Sequence, residues 1–307
     1  MTHASWAIIA NPVAGRGRAR KSAPYLAKRL EAAGHTVAVS WTASDGDAET
    51  LAREASNQGV SRVVACGGDG TIHQVINGLM TAQPPGGKAT IMGIVPLGRC
   101  NDLASTLSIP KNSAKAAEVL LAGNHRLIDL GRVGHRYYST VATLGFDTEV
   151  SKYVANGKHP FFLKGTLAYL YGTLIQLVRY RDVDVLLSWD FGRYEGPIFL
   201  AATGNTPNYG GRMKITPSAL IDDGLLDLCL VRSAPRWDVL RMIPKVFSGT
   251  HGKHPAVSMN PIKRLEIESD TTLSIWADGE PVAETPTVIE VVPGALPTLV
   301  PAPMASD

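Results

Sequence analysis

Cysteine is scarce in this 307-residue chain: Cys66, Cys100 and Cys229 are an odd set without metal-ligand spacing. That excludes a disulfide framework and a cysteine-based zinc site, and it fits a reducing, cytoplasmic setting. Long uncharged apolar runs are missing too. The longest, GTLAYLYGTLIQLV at 165–178, sits between Lys164 and Arg179 and falls short of the roughly 20 residues a spanning helix needs. The opening MTHASWAIIA lacks the basic segment and full apolar stretch of an export signal. Any membrane contact is therefore expected to be peripheral. No charge sign dominates: 30 Lys and Arg against 27 Asp and Glu leave a net +3. This is too mild to argue for nucleic acid and compatible with an anionic small molecule or a membrane surface. Low-complexity tracts and fixed-period repeats are absent, which argues against disorder and against a solenoid.

What is present reads as a globular chain, with 45% hydrophobic and 19% charged residues. Its length corresponds to one large or two ordinary domains. From Trp6 to about Leu130, short apolar runs (WAIIA, TVAVSW, RVVAC, IMGIV) alternate with helical patterns (DAETLAREAS, IHQVINGLM, AKAAEVLLAG). Strands alternating with helices predict a mostly parallel α/β sheet, because parallel neighbours need crossover connections. Past Leu130 the runs HRYYSTVATLG, VDVLLSW, GPIFLAATG, LLDLCLV, KRLEIES, TTLSIWA and TVIEVV predict a β-rich sandwich, with helices near 163–180 and 236–248. A domain boundary is expected near residue 130.

The most informative segment is RVVACGGDGTIHQVINGL at 62–79. Gly67, Gly68 and Gly70 bracket Asp69 at a strand-to-helix turn, and Thr71 opens the helical pattern. Glycines there let backbone approach a bound group, and the helix start offers unpaired N–H donors to an anion. A capped βα turn would use similar residues. Asp69 suits a phosphate site only if it serves a metal ion, a ribose hydroxyl or its own loop. Neither GxxxxGK[ST] nor a complete GxGxxG occurs, so the common nucleotide motifs are excluded.

IIANPVAGRG, VVACGGDGTIHQVINGL, GIVPLGRCNDLAS, IDDGLLD and WADGEP at 276–281 stand in the order found in the diacylglycerol kinase catalytic-domain family, which includes sphingosine and ceramide kinases. Over nearly its whole length the chain resembles that family. The resemblance implies an amino-terminal domain like that of phosphofructokinase and NAD kinase at 1–130, completed by 289–304. It also implies a β-rich lipid-binding domain at 131–288 and an active site in the cleft between them.

The activity so implied is transfer of the γ-phosphate of ATP to a lipid hydroxyl, diacylglycerol first among candidates, with Mg²⁺. Partners would be ATP and lipid at a membrane surface, not nucleic acid; the oligomeric state stays open, a homodimer included. By resemblance, Asn11, Gly67, Gly68, Asp69, Gly70, Thr71, Gly98, Arg99, Asn101 and Glu280 meet the nucleotide, and Asp278 is the general base. Asp223 with the carbonyls of Leu220 and Leu225 resembles a magnesium site, and Asp69 and Asp102 look like its partners in a water-mediated network. Asp147, which alone reads as a helix-start acid, resembles a residue against the lipid head group.

The chain departs from the family where Thr and Gly of the second phosphate loop become Arg99 and Cys100, and where His73 and Gln74 replace Asn and Glu. Arg99 is expected to pair with a phosphate oxygen. Cys100 is expected to be strained, because a Cβ penalises positive φ. An NAD kinase shares the GGDG loop, and a catalytically silent lipid or nucleotide sensor is the reading the two substitutions favour. The apolar stretch 161–179 reads as core or as an acyl-channel wall. Arg16, Arg18, Arg20, Lys21, Lys28 and Arg29 read as a solvated helix face or as an anionic-lipid contact.

Overall fold

The computed structural model describes residues 4–158, 160 and 166–302. Its first half alternates as expected: β1 (Ser5–Ala10), α1 (Ala14–Gly17), α2 (Ala19–Ala32), β2 (Thr36–Trp41), α3 (Asp47–Asn57), β3 (Arg62–Gly67), α4 (Asp69–Met80), β4 (Ile91–Pro96), α5 (Asp102–Thr106) and α6 (Ser113–Ala122). The four strands are parallel, in the order β2-β1-β3-β4. Alternate side chains of β1 serve opposite faces: Trp6 and Ile8 pack with Leu26 and Leu120 of α2 and α6. Ala7 and Ile9 pack with Ala52 and Ile76 of α3 and α4. A sheet covered on both faces explains why these strands read as unbroken apolar runs. The chain leaves β1 towards β2 on one side and β3 towards β4 on the other. The turns after β1 and β3 therefore flank the switch point, where open α/β sheets bind ligands.

The second half contains β5 (His125–Val133), β6 (Arg136–Tyr138), β7 (Val141–Gly145), α7 (Phe146–Ala155), α8 (Thr166–Arg179), β8 (Val183–Trp189), β9 (Gly192–Gly204), β10 (Leu226–Arg232), α9 (Arg236–Ser248), β11 (Val257–Ile262), β12 (Arg264–Glu268), β13 (Ser274–Ala277), β14 (Glu280–Glu284) and β15 (Thr287–Leu299). The long β9 pairs β8 with its first part and both β7 and β10 with its last. This folds the sheet around Tyr138, Leu187, Ile198, Leu228 and Leu265 as a β-rich, sandwich-like unit.

Three strands, β5, β11 and β14, escape the sequence pattern. β5 carries Gly131 at its middle, where a Cβ would run into the ring of Tyr138 on the paired strand. β11 contains Pro261, tolerated because among the described residues this strand pairs with β10 alone and stands at an edge. The expected helix 161–179 is α8 from Thr166 onward, and 161–165 lie outside the described residues. Leu177 is buried, whereas Leu174 and Val178 are exposed. No helix among the described residues is long and apolar enough to cross a membrane.

β5 and β15 run antiparallel from Ile289↔Val133 to Leu299↔His125, with a register shift between Val292 and Leu296. Ile128, Leu130 and Leu296 belong to the core on the α3/α4 face of the parallel sheet, and Val133 and Ile289 to the core of the second half. Residue 130 thus lies inside a strand. The tail of β15 ends beside β4, parallel to it at Thr298↔Met92; positions 303 and 304 lie outside the described residues.

Candidate active site

Three turns meet at the carboxyl ends of β1, β3 and β4. Asn11 donates its N–H to the carbonyl of Cys66 and accepts the N–H of Val13 on Oδ1 at 3.1 Å. Arg18 reaches the carbonyls of Gly15 and Leu97. Gly67 has no Cβ because the side chain of Thr71, itself buried, folds over it. A Cβ on Gly98 would stand 2.7 Å from the Gly68 Cα and 2.8 Å from Asn101 Oδ1. The two glycine turns therefore touch backbone to backbone, leaving their N–H groups for a ligand.

Asp69, the first residue of α4, accepts the N–H of Asn101 at 2.9 Å and of Asp102 at 3.0 Å. Of the roles open to it in the sequence, the structure displays loop bracing. The bracing bends the loop at Asn101, which takes the left-handed conformation, φ 56° and ψ 51°. Cys100 is absent from the positive-φ residues, so the strain expected of it is not present. The neighbouring asparagine, which tolerates that conformation, carries the turn instead. Asn101 is buried, donates Nδ2 to the Gly98 carbonyl, and leaves Oδ1 without a partner. Arg99 stands exposed at the loop's apex.

The second half closes on these turns. Gly211 donates its N–H to the Asp102 carboxylate at 3.0 Å, and the Cys100 thiol lies against Gly211. Burial pushes the Asp102 carboxyl up to about 6, the nearby charges of Asp69 and Asp278 add to it, and the Gly211 N–H opposes it. Asp69, Asp102 and Asp278 therefore share one electrostatic neighbourhood. Ionised Asp102 is a liability to the fold: the penalty is complete above its folded value and fades as pH falls towards the ordinary 3.8. Asp102→Asn is expected to stabilise the protein by about 1–2 kcal/mol at pH 7.5, the gain vanishing near pH 4. Urea melts across that range check it; no gain at pH 7.5 would refute the crowding.

Asp278 sits between the halves at φ 52° with its side chain buried. It accepts the Ser139 and Thr140 N–H groups, each at 2.9 Å, both their hydroxyls at 3.2 and 2.5 Å, and His73 Nδ1 at 3.2 Å. Burial pushes the carboxyl up, but His73, Thr140 and Ser139 outweigh it and the net direction is down. On its other nitrogen, His73 faces the Asn77 amide at 3.4 Å and the Arg136 guanidinium at 3.5 Å. Both are donors, which favours the tautomer with its proton on Nδ1. Asn77 donates to the Tyr137 carbonyl and accepts the Tyr137 N–H, fastening α4 to β6.

Glu280 lies over the start of α4, its Oε1 3.7 Å from where a Cβ on Gly70 would be. Burial raises its carboxyl, against the pull of His73. Asp147 accepts the Tyr209 hydroxyl at 3.1 Å and that of Thr143 at 3.2 Å, and burial raises it. Tyr209 is two residues from Gly211, so one segment touches both Asp147 and Asp102. Asp223, expected to join Asp69 and Asp102, stands apart from this network: it accepts the Leu225 N–H at 3.0 Å in an exposed turn, and its charge bears on Asp227. Leu220, in the same turn, is exposed. Among the described residues no group of three or more His, Cys, Asp or Glu side chains could hold a metal ion by itself.

His73, Asn77, Ser139, Thr140, Gly211 and Asp129 were not assigned roles from sequence. Asn77 inside an apolar helix and Asp129 inside RLIDLG are the signals available, each a polar residue where burial demands a partner.

The family model of the diacylglycerol kinase catalytic domain matches residues 5–133, and that of the YegS C-terminal NAD kinase beta sandwich-like domain matches 140–300. A Staphylococcus carnosus protein named diacylglycerol kinase is 31% identical over 273 residues, 89% of this chain and 87% of the relative. A Chromohalobacter salexigens protein named "Probable lipid kinase YegS-like" is 33% identical over 271 residues, 87% and 85% of the two chains. A crystal structure titled as a diacylglycerol kinase from Bacillus anthracis str. Sterne superposes with a TM-score of 0.76 over 100% of both chains at 22% identity, a likeness of fold. On the two matched domains and on relatives that run nearly end to end with it, the chain belongs to the diacylglycerol kinase catalytic-domain family of lipid kinases.

Proposed function

We propose that the protein transfers the γ-phosphate of ATP to the hydroxyl of diacylglycerol. The observation that carries this reading is Asp278: a carboxylate from the second half, clamped by five donors, beside the glycine turns of the first. Held below its ordinary value, it is ionised at neutral pH and a weak base. That suits phosphoryl transfer with a loose transition state, where the hydroxyl is oriented early and its proton leaves late. The turns at Asn11, Gly67–Thr71 and Gly98–Asn101 would cradle the phosphates, with Arg99 and Glu280 at the rim. Asp147, with Tyr209, would face the lipid head group.

The donor set fits a hard divalent cation, Mg²⁺ in this proposal. Asp69 and Asp102 offer only oxygens, and the crowding of Asp69 and Asp278 raises Asp102. Such a cation keeps waters and takes oxygens from the nucleotide, so it needs no all-protein cage. It would supply neutralisation of phosphate charge. The turn holding Asp223 and the carbonyls of Leu220 and Leu225 is a separate oxygen-rich candidate.

Incubation with γ-labelled ATP, magnesium and total lipid extract is expected to label phosphatidic acid. No labelled lipid at any concentration would overturn the reading, and formation of NADP from NAD would replace it.

A further inference from the structure

Most large apolar residues of the chain are buried, but α9 turns three of them outwards. Trp237 is 72% exposed, Leu240 39% and Phe247 50%. With 100° per residue they share one quadrant of the helix, along with exposed Pro244, and the stripe runs about 15 Å. The opposite quadrant, with Val239 and Met242, is packed into the second half. Arg241 and Lys245 border the stripe, both exposed. The acids nearby are committed: Asp238 lies 3.7 Å from Arg241, and Asp182 pairs with Arg236 at 3.2 Å. An apolar strip ended by tryptophan and edged by cations is the composition of helices that lie in a bilayer interface.

The helix is also wired to the active site. The Val246 carbonyl accepts the N–H of Lys214 at 3.0 Å, and the same loop presents Gly211 to Asp102. We infer that the outer face of α9 docks on an anionic lipid surface, with Trp237, Leu240 and Phe247 in the interface and Arg241 and Lys245 on the head groups. The inference rests on the lipid-kinase reading for its choice of partner. Docking there would hold the loop edge of the site at the membrane, where a water-insoluble substrate resides.

The test compares the full chain with Trp237→Ala/Phe247→Ala on sucrose-loaded vesicles of phosphatidylcholine, with and without phosphatidylglycerol. Wild type is expected to sediment with the anionic vesicles and to be released by salt, and the double variant to lose about tenfold or more in partition. Turnover of a short-chain, water-soluble diacylglycerol is expected to be unchanged in the variant, which also reports that it has folded. Equal partition of both proteins, or no sedimentation of wild type, overturns the inference. A wild-type dimer that the double variant dissociates would assign the face to a second copy and overturn it too. If no diacylglycerol is turned over, the substrate reading fails while the vesicle arm still reports on α9, with cooperative melting as the check of folding.

Discussion

Asp278→Asn is expected to lower the rate of phosphoryl transfer by about 10³-fold while leaving a cooperatively melting protein. The carboxylate is held jointly by His73, Ser139 and Thr140. Positioned proton acceptors contribute roughly 10² to 10⁴ in rate. Asparagine keeps the shape but brings an amide that donates towards groups already donating. The Ser139 and Thr140 hydroxyls can turn and accept from it, so the loss of stability should stay near 1–3 kcal/mol. Single-turnover label transfer together with a thermal melt separates the two effects. Undiminished transfer by a folded variant would remove Asp278 from the chemistry.

The second large effect falls on stability. Asp129 is buried in β5 and accepts the N–H of Gly224 and the N–H of Gly294, each at 2.6 Å. Gly294, at φ 57°, lies in the stretch where β15 slips register against β5. The Asp129 backbone also takes part: its N–H donates to the Ile221 carbonyl, and its carbonyl accepts the Asn205 amide. Removing the carboxylate unpairs two charge-assisted bonds at once, so Asp129→Ala is expected to cost about 2–4 kcal/mol. Urea denaturation should report this as a lower midpoint. A midpoint within error of wild type would show that the bulge closes without it. Asp223 rides on the same turn, so the magnesium binding proposed for that turn is expected to weaken in parallel.

Much of this site could be read before any coordinates. Strand-to-helix turns with glycines announce themselves locally, so Gly67 to Thr71 and Gly98 to Asp102 were legible. Asp278 was found through the order of motifs. Its clamp was not, because His73, Ser139 and Thr140 lie 205, 139 and 138 residues away in sequence. His73 drew notice only as a departure from the family, and the structure makes it the partner of Asp278. Cys100 was misjudged because the backbone twist was assigned to the position of the missing glycine; the next residue, Asn101, takes it up. β5 stayed hidden because charged ends, Asp129 and Gly131 break its apolar alternation: Asp129 answers to Gly224 and Gly294, distant in the chain, and Gly131 to the Tyr138 ring on the next strand.

Hybrid enzymes built from this protein and a relative meet a constraint from the paired strands β5 and β15. Each strand contributes to a core on both sides of the crossing. A splice at residue 130 alone would join an outgoing strand from one parent to a returning strand from the other, mismatching the slip at Val292 to Leu296. Exchange of the second half should succeed only when both strands travel together as one cassette.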